Sequence, residues 1–301
     1  MKLKFLVMAI TAVLFTSCAP AKQGKKNIVC TTSMIGDMVG NLLGDSVEVV
    51  SLMGAGVDPH LYKPTSKDLS TLKGAGVILF NGLHLEGKTQ EALEKLGVKK
   101  SVYAVAEGIP ESMLRQTSEF KGNFDPHIWL DVDNWILCTK YVANQLEKEF
   151  PEHSSLIKEN KERYLLELVE TDSLVQDYIS QIPFKSRYLV TAHDAFGYFG
   201  RAYGLKVKSL LGLSTLAEVG IKDVMDLSDF LKSNDIKSIF AETMVSNRSI
   251  KKVIETCEEK GHQVKIGAYL FSDAMGEPGK PGGTYIGMLI HNAQTISENL
   301  K

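Results

Sequence analysis

The sequence predicts an α/β protein of two lobes whose mostly parallel sheets are joined by one long spine helix. Short β-branched or apolar runs alternate with helix-length amphipathic segments, and this alternation is typical of parallel sheets covered by helices. Residues 154–181 interrupt the alternation, because they contain neither glycine nor proline. These two observations together predict the two lobes and the helix between them.

Eight runs have the composition of strands, four in each half of the chain. They are residues 27–31, 47–52, 77–81, 102–105, 187–192, 205–210, 236–241 and 263–267. Helical patterns lie between them, for example at 34–43, 66–74, 88–96 and 134–149. This grouping predicts an N-terminal α/β lobe at 28–153 and a C-terminal α/β lobe at 182–301.

The interrupting segment predicts the spine helix. Apolar residues recur along it, Pro151 lies before it and Pro183 stops it. A helix of about 28 residues at 1.5 Å per residue is about 40 Å long, enough to run the length of a domain. We therefore expect residues 154–181 to span both lobes.

The N-terminus has the pattern of an export signal. A short basic segment precedes an apolar run that is too short to span a bilayer as a mature helix. Small residues directly before Cys18 suggest a lipobox, which predicts a signal peptide at 1–17 and lipidation of Cys18. Plain signal cleavage stays open, because Phe15 is bulkier than the usual aliphatic residue. Residues 18–27 are predicted to be a lipidated, flexible tether, which makes the protein an extracytoplasmic, membrane-anchored lipoprotein.

Charge and cysteine content exclude several classes of protein. Without the two lysines of the leader the net charge is about −4, which gives no reason to expect nucleic-acid binding. Cys30, Cys138 and Cys257 remain after Cys18, far apart and without C-x-x-C spacing. They predict buried free thiols and neither a disulfide framework nor a zinc knuckle.

A repeated triplet carries the chemistry. Asp58-Pro59-His60 recurs as Asp125-Pro126-His127, and each proline sets its histidine on a stiff turn. His193 and Asp273 follow predicted strands of the other lobe, where ligands of open α/β sheets bind. Three imidazoles and one carboxylate suit a four-coordinate zinc ion or another late first-row ion. The sequence thus predicts a metal site in the cleft between the lobes.

Structural explanations for some of these residues stay open. His193 could belong to a helix N-terminus capped by Asp194, and Asp273 could be an ordinary loop cap. The remaining histidines outside the motifs, His153, His262 and His291, are predicted to be solvent-exposed.

Residues 82–89 raise the alternative of a P-loop NTPase, because they match the pattern G-x-x-x-x-G-K-[ST] between a strand and a helix. A P-loop wraps phosphates with backbone N–H groups, which favours small residues inside it. Leu83, His84 and Leu85 are bulky, and Glu86 would repel phosphates. The pattern therefore disfavours nucleotide binding.

Taken together, the motifs resemble the metal-binding cluster of ABC-transporter solute-binding proteins, the cluster A-I family of TroA- and ZnuA-type zinc and manganese receptors. The resemblance runs from about Ile28 to the C-terminus. The matching segments are 58–62, 81–86, 125–129, 189–199 and 270–276.

The resemblance implies a ligand set and a role. His60 and His127 match the first two ligands of the family, His193 matches a position held by histidine or glutamate, and Asp273 matches the acidic fourth ligand. Glu242 falls where the family often has an acidic residue, and it is a candidate to support the ligands. The implied role is an extracytoplasmic receptor, monomeric and not an enzyme, that delivers its ion to an ABC-transporter permease.

The resemblance favours zinc and keeps manganese possible. Residues 107–124 contain no histidine, so the zinc-collecting loop of many zinc-specific members is absent. His193 replaces the glutamate common in manganese-dedicated members, and nitrogen ligands favour zinc over Mn²⁺. The glycine-rich run at 276–283 is expected to be flexible and to help release. An exported zinc-dependent hydrolase with Asp273 as base stays the alternative, and an additional adhesive role stays open.

Overall fold

The computed structural model describes residues 26–98, 100–116 and 122–301. It contains two four-stranded sheets, one in each half of the chain, with helices packed around them. Every strand pair in these two sheets is parallel, which confirms the predicted two-lobe α/β fold. The predicted signal peptide, Cys18 and all but the last two residues of the predicted tether lie outside the described residues.

The N-terminal sheet has the strand order β2-β1-β3-β4, and the half of the chain around it is called the N-lobe. Its strands are β1 (Ile28–Cys30), β2 (Val49–Ser51), β3 (Val77–Phe80) and β4 (Ser101–Ala104). Its helices are α1 (Ser33–Leu43), α2 (Ser66–Gly74), α3 (Lys88–Gly97) and α4 (Val132–Glu149). Ile28 pairs with Val49 on one side and Val77 on the other. The two inner strands are buried throughout, which explains their unbroken apolar sequence.

The C-terminal sheet has the order β6-β5-β7-β8, and its half of the chain is called the C-lobe. Its strands are β5 (Tyr188–Thr191), β6 (Lys206–Ser209), β7 (Ser238–Glu242) and β8 (Lys265–Leu270). Its helices are α6 (Gly197–Tyr203), α7 (Ile221–Ser233), α8 (Arg248–Glu259) and α9 (Tyr285–Leu300). Both lobes therefore use the order second-first-third-fourth, which reverses direction beside the first strand. In such sheets ligands bind near that reversal, beyond the carboxyl ends of the strands.

Helix α5 (Ser154–Ser180) is the predicted spine and ends one residue before the predicted boundary. It packs against α1 and α4 of the N-lobe and against α6 and α9 of the C-lobe. Its buried side chains recur at helical spacing along one face. They are Ile157, Tyr164, Leu168, Thr171, Val175 and Ile179. We call the packed helices α1, α4, α5 and α9 the helical seam, because their side chains share one apolar core that includes residues of both lobes.

Individual side chains test smaller predictions. Cys30, Cys138 and Cys257 are buried free thiols, as predicted. The prediction of an exposed His262 is wrong, because its ring is buried and its Nε2 lies 2.7 Å from the carbonyl oxygen of Ile236. Gly261, with a φ of 74°, turns the chain so that the histidine folds back onto the lobe. His153 and His291 are partly exposed.

Within the described residues, no helix is both long enough and apolar enough to cross a membrane.

Candidate metal centre

Four side chains converge between the lobes. His60, His127, His193 and Asp273 each offer one donor atom, and these atoms all lie within 4.8 Å of one another. His60 lies between β2 and α2, His127 precedes α4, His193 follows β5 and Asp273 follows β8. Each lobe therefore provides two donors from loops at the cleft, and the structure brings together all four residues that the sequence singled out.

The distances within the cluster suit a single small cation. Asp273 Oδ2 lies 3.3 Å from His60 Nε2 and 3.2 Å from His193 Nε2. Asp273 Oδ1 lies 3.4 Å from His127 Nε2, which is 3.3 Å from His60 Nε2. With bonds of about 2.0–2.1 Å, a tetrahedral shell places neighbouring ligand atoms about 3.3–3.4 Å apart. The donor spacing therefore matches a zinc-sized tetrahedral shell.

Burial makes a bound cation favourable. The side chains of His127, His193 and Asp273 are 0% exposed and that of His60 is 5% exposed. Both carboxylate oxygens of Asp273 and Nε2 of His193 are buried without a hydrogen-bond partner. A buried carboxylate is costly unless it is paired or coordinates a metal. The donor atoms thus fit a divalent ion that completes their bonding.

Charges inside the cluster oppose the effect of burial. Burial acts to raise the pKa of Asp273, but His193 and His127 outweigh it and hold that pKa well below its usual range. Burial acts to lower the pKa of His193, but Glu242 and Asp273 outweigh it and hold that pKa well above its usual range. Because a metal ligand must be a neutral imidazole, an arriving cation displaces the proton of His193.

The aspartate of each triplet holds its histidine turn. Asp125 Oδ1 accepts a hydrogen bond of 3.0 Å from the backbone N–H of His127 and lies 2.7 Å from the ring Nδ1. Asp58 Oδ1 accepts the backbone N–H groups of His60 at 2.8 Å and Leu61 at 3.3 Å. Sequence reasoning missed this role and credited the prolines alone. The signal was present, because an aspartate stands two positions before each histidine.

Glu242 holds the third histidine in the same way. It ends β7, its Oε2 contacts the ring Nδ1 of His193, and its Oε1 accepts the backbone N–H of His193 at 2.8 Å. A carboxylate behind the imidazole fixes the ring orientation, so that Nε2 faces the other donors. The structure thus places Glu242 beside the cluster, where the sequence suggested an acidic support.

The glycine-rich run after Asp273 is compact. The amide of Gly276 donates to the carbonyl of Gly282 over 2.8 Å. Gly282 has a φ of 78°, and a Cβ on it would lie 2.4 Å from the ring of Phe271. These glycines therefore permit close packing and a left-handed turn, which gives another reason for the composition that predicted flexibility.

The P-loop alternative fails at Glu86. Its Oε1 accepts hydrogen bonds from Asn81 N at 2.6 Å and Thr31 Oγ1 at 2.8 Å, and its Oε2 accepts one from Gly82 N at 3.3 Å. A carboxylate of the loop itself thus occupies the N–H groups that phosphates would need. Asn81 Nδ2 donates to the carbonyl of Pro126 at 3.0 Å. This loop therefore supports the second triplet.

Comparison with known proteins agrees with this geometry. The sequence profile of the family described as "Zinc-uptake complex component A periplasmic" matches residues 28–299. The chain belongs to this family. It is 46% identical over 302 residues to the manganese-binding lipoprotein MntA of Bacillus subtilis (strain 168), covering 97% of this chain and 98% of that protein. It is 41% identical over 282 residues to the zinc-binding protein TroA of Treponema pallidum (strain Nichols), covering 94% and 91%.

Solved structures of similar proteins have the same fold. The periplasmic zinc-binding protein TroA from Treponema pallidum superposes with a TM-score of 0.89 at 41% identity, covering 92% of this chain and 99% of that chain. Fe(III)-bound YtgA from Chlamydia trachomatis superposes with a TM-score of 0.83 at 28% identity, covering 91% and 98%. None of these family or protein names denotes an enzyme, and the alternative of an exported hydrolase is not supported.

Proposed function

We propose that this protein is an extracytoplasmic receptor that captures Zn²⁺ or Mn²⁺ and delivers the ion to the permease of an ABC importer. The observation that carries the proposal is the buried cluster of three imidazoles and one carboxylate contributed equally by two lobes. A site built across a cleft binds by bringing the lobes together and releases by letting them part, as a transport receptor requires. Membership of a metal-uptake family supports the same role.

Each ligand has an assigned part in this proposal. His60 and His127 hold the ion on the N-lobe, and His193 and Asp273 complete the shell from the C-lobe. Glu242 fixes the ring of His193 from behind. A shell of four protein ligands leaves no open position for an activated water, so the site suits capture and not hydrolysis.

Zinc is the favoured cargo, with manganese as the second. Three nitrogen donors favour zinc over Mn²⁺, which is the weakest binder of the first-row series. Both oxygens of Asp273 face imidazole nitrogens, so the carboxylate has a second oxygen to offer a harder ion such as Mn²⁺. The relatives carry both names, manganese-binding for MntA and zinc-binding for TroA.

The proposal includes an anchor and a division of the chain. Cys18 carries a lipid, residues 18–27 form the tether, and the receptor works as a monomer at the membrane surface. The N-lobe at 28–153 and the C-lobe at 182–301 are joined by the helix at 154–181. The name of MntA, a lipoprotein, supports the anchor.

Release is proposed to need only a small movement. The helical seam packs apolar side chains of both lobes together and resists a wide hinge. Shifts of the C-lobe loop that carries Asp273 are then enough to open the shell.

The test is metal binding by protein purified without added metal. Calorimetric titration with Zn²⁺ and Mn²⁺, alone and in competition, is expected to give one ion per chain with zinc bound more tightly. Metal at 100 times the dissociation constant stabilises the folded state by about 2.7 kcal/mol, which raises the melting temperature. No heat of binding and no shift in melting temperature with either ion would end the proposal.

A further inference from the structure

Asp58 uses its two oxygens in two directions. Oδ1 accepts the backbone amides of the His60 turn, as described above. Oδ2 accepts a hydrogen bond of 2.6 Å from the hydroxyl of Thr215, which lies in the C-lobe after β6. One carboxylate therefore joins a ligand turn of the N-lobe to a loop of the C-lobe.

Asp125 repeats the arrangement through an arginine. Its Oδ1 holds His127, and its Oδ2 lies 2.5 Å from Arg115 Nη1. The other end of that guanidinium, Nη2, lies 3.2 Å from Asp194 Oδ2 in the C-lobe. Asp194 directly follows His193, so Arg115 connects carboxylates that neighbour one ligand of each lobe.

A tyrosine and a glycine of the C-lobe complete this connection. The hydroxyl of Tyr198 accepts the amide of Arg115 at 2.9 Å and donates to the carbonyl of Asp125 at 3.0 Å. A Cβ on Gly197 would lie 1.9 Å from Arg115 Nη1 and 2.1 Å from its Cζ. The guanidinium thus lies against the start of α6, in space that only glycine leaves free.

We infer that Thr215 and Arg115 are positioning residues for metal retention, which act through Asp58 and Asp125 to couple lobe closure to the placement of His60 and His127. The inference rests on the proposed function and adds the device that links lobe movement to ligand release. When the lobes part, Thr215 leaves Asp58 and Asp194 leaves Arg115. Both histidine turns then lose support at the moment the C-lobe ligands withdraw.

The test measures how fast bound Zn²⁺ leaves the full chain. Stopped-flow transfer of Zn²⁺ to a fluorescent chelator is recorded for the wild type and for Thr215→Val, Arg115→Lys and Gly197→Ala. Each variant is expected to release Zn²⁺ about tenfold faster, the scale of losing one hydrogen bond to a charged group. Lysine keeps the charge but cannot bridge two carboxylates, and alanine displaces the guanidinium without changing any charge.

Matched controls separate positioning from general loss of structure. Thr256→Val removes a hydroxyl that bonds within α8, and Arg163→Lys changes an exposed arginine paired with Glu167 on α5. Both are expected to release Zn²⁺ at the wild-type rate. Circular dichroism and the melting temperature of each metal-free variant verify folding, so a misfolded Gly197→Ala is set aside and Arg115→Lys decides.

Double variants test the route of the effect. Thr215→Val is expected to add nothing in an Asp58→Asn background and to add its full effect in an Asp125→Asn background. Equal effects in both backgrounds, or wild-type release rates in the single variants, would overturn the inference. Zinc binding by the wild type is measured first, so failure of the receptor function is seen separately from failure of the coupling.

Discussion

The lobes meet in two regions that are built in opposite ways. At the helical seam, α1, α4, α5 and α9 bury apolar side chains against one another. At the cleft, imidazoles and carboxylates face one another with buried atoms that lack hydrogen-bond partners. The seam is stable through hydrophobic burial alone, whereas the cleft gains its full stability when a cation joins it.

This difference separates two properties of the molecule. The seam sets the resting position of the lobes and the stability of the metal-free fold. The cleft sets affinity and reports the presence of the ion. We therefore expect substitutions in the cleft to change metal binding with little effect on the metal-free protein, and substitutions in the seam to do the reverse.

The largest effect is expected for His127→Ala in the cleft. Loss of an outer-shell partner costs about 10–100-fold in metal affinity. Removing a buried ligand exceeds that, and we expect about a thousandfold loss of Zn²⁺ affinity, measured by calorimetric titration. His291→Ala, which changes a partly exposed histidine on α9, serves as the control and should bind normally. Undiminished binding by His127→Ala would remove it from the ligand set.

The ligand positions were predictable because they lie in short motifs. The repeated Asp-Pro-His triplets marked His60 and His127, and the family resemblance marked His193 and Asp273. The strands were found for a related reason, since apolar runs between turn residues are local signals.

Contacts that depend on how the lobes close were not predictable. Thr215 lies 157 residues from Asp58 along the chain, and Arg115 lies 79 residues from Asp194. No periodicity or spacing marks such pairs. The burial of His262 was missed for the same reason, because its partner carbonyl at Ile236 comes from the end of a different loop.

The next effect concerns the seam. Leu168 is fully buried on α5, and Leu168→Ala is expected to lower the free energy of unfolding of the metal-free protein by about 2–5 kcal/mol. Urea unfolding measures this loss, and Zn²⁺ affinity should stay within about twofold of wild type. Leu166→Ala on the same helix is the control, since Leu166 is 67% exposed. A large loss of affinity in Leu168→Ala would break the proposed separation of seam and cleft.

A smaller effect is expected for Asp125→Asn. The amide keeps the shape of the side chain but loses the charge behind His127, so affinity for Zn²⁺ should fall about 10–100-fold. Asp131→Asn is the matched control. Asp131 also joins the lobes, through Arg201 at 3.1 Å, but it caps α4 and does not contact a ligand. Equal losses in the two variants would show that any interlobe ion pair matters, whether or not it contacts a ligand.

The smallest effect sharpens the comparison through two buried carboxylates. Asp273 in the cleft faces imidazoles, and its pKa is held low. Asp37 in the seam has no such partners, and burial raises its pKa to about 6, opposed by the backbone amide of Tyr285 at the start of α9. An acid whose pKa is higher in the folded state than the unfolded value of about 3.9 binds more protons when folded. Its contribution to stability is therefore present at low pH and is lost as pH rises from about 4 to about 6.

Asp37→Asn removes this loss. We expect the variant to exceed the wild type in free energy of unfolding by about 1–2 kcal/mol at pH 7, below the full value of the shift because the charge also favours the start of α9. The gain should vanish near pH 4, where the wild-type carboxyl is protonated when folded. Urea unfolding of metal-free protein between pH 4 and 8 measures the difference, with the exposed Asp45→Asn as a pH-independent control. A constant difference across that range would show that Asp37 does not titrate in the seam, whereas an altered Zn²⁺ affinity would show that the seam and the cleft are not independent.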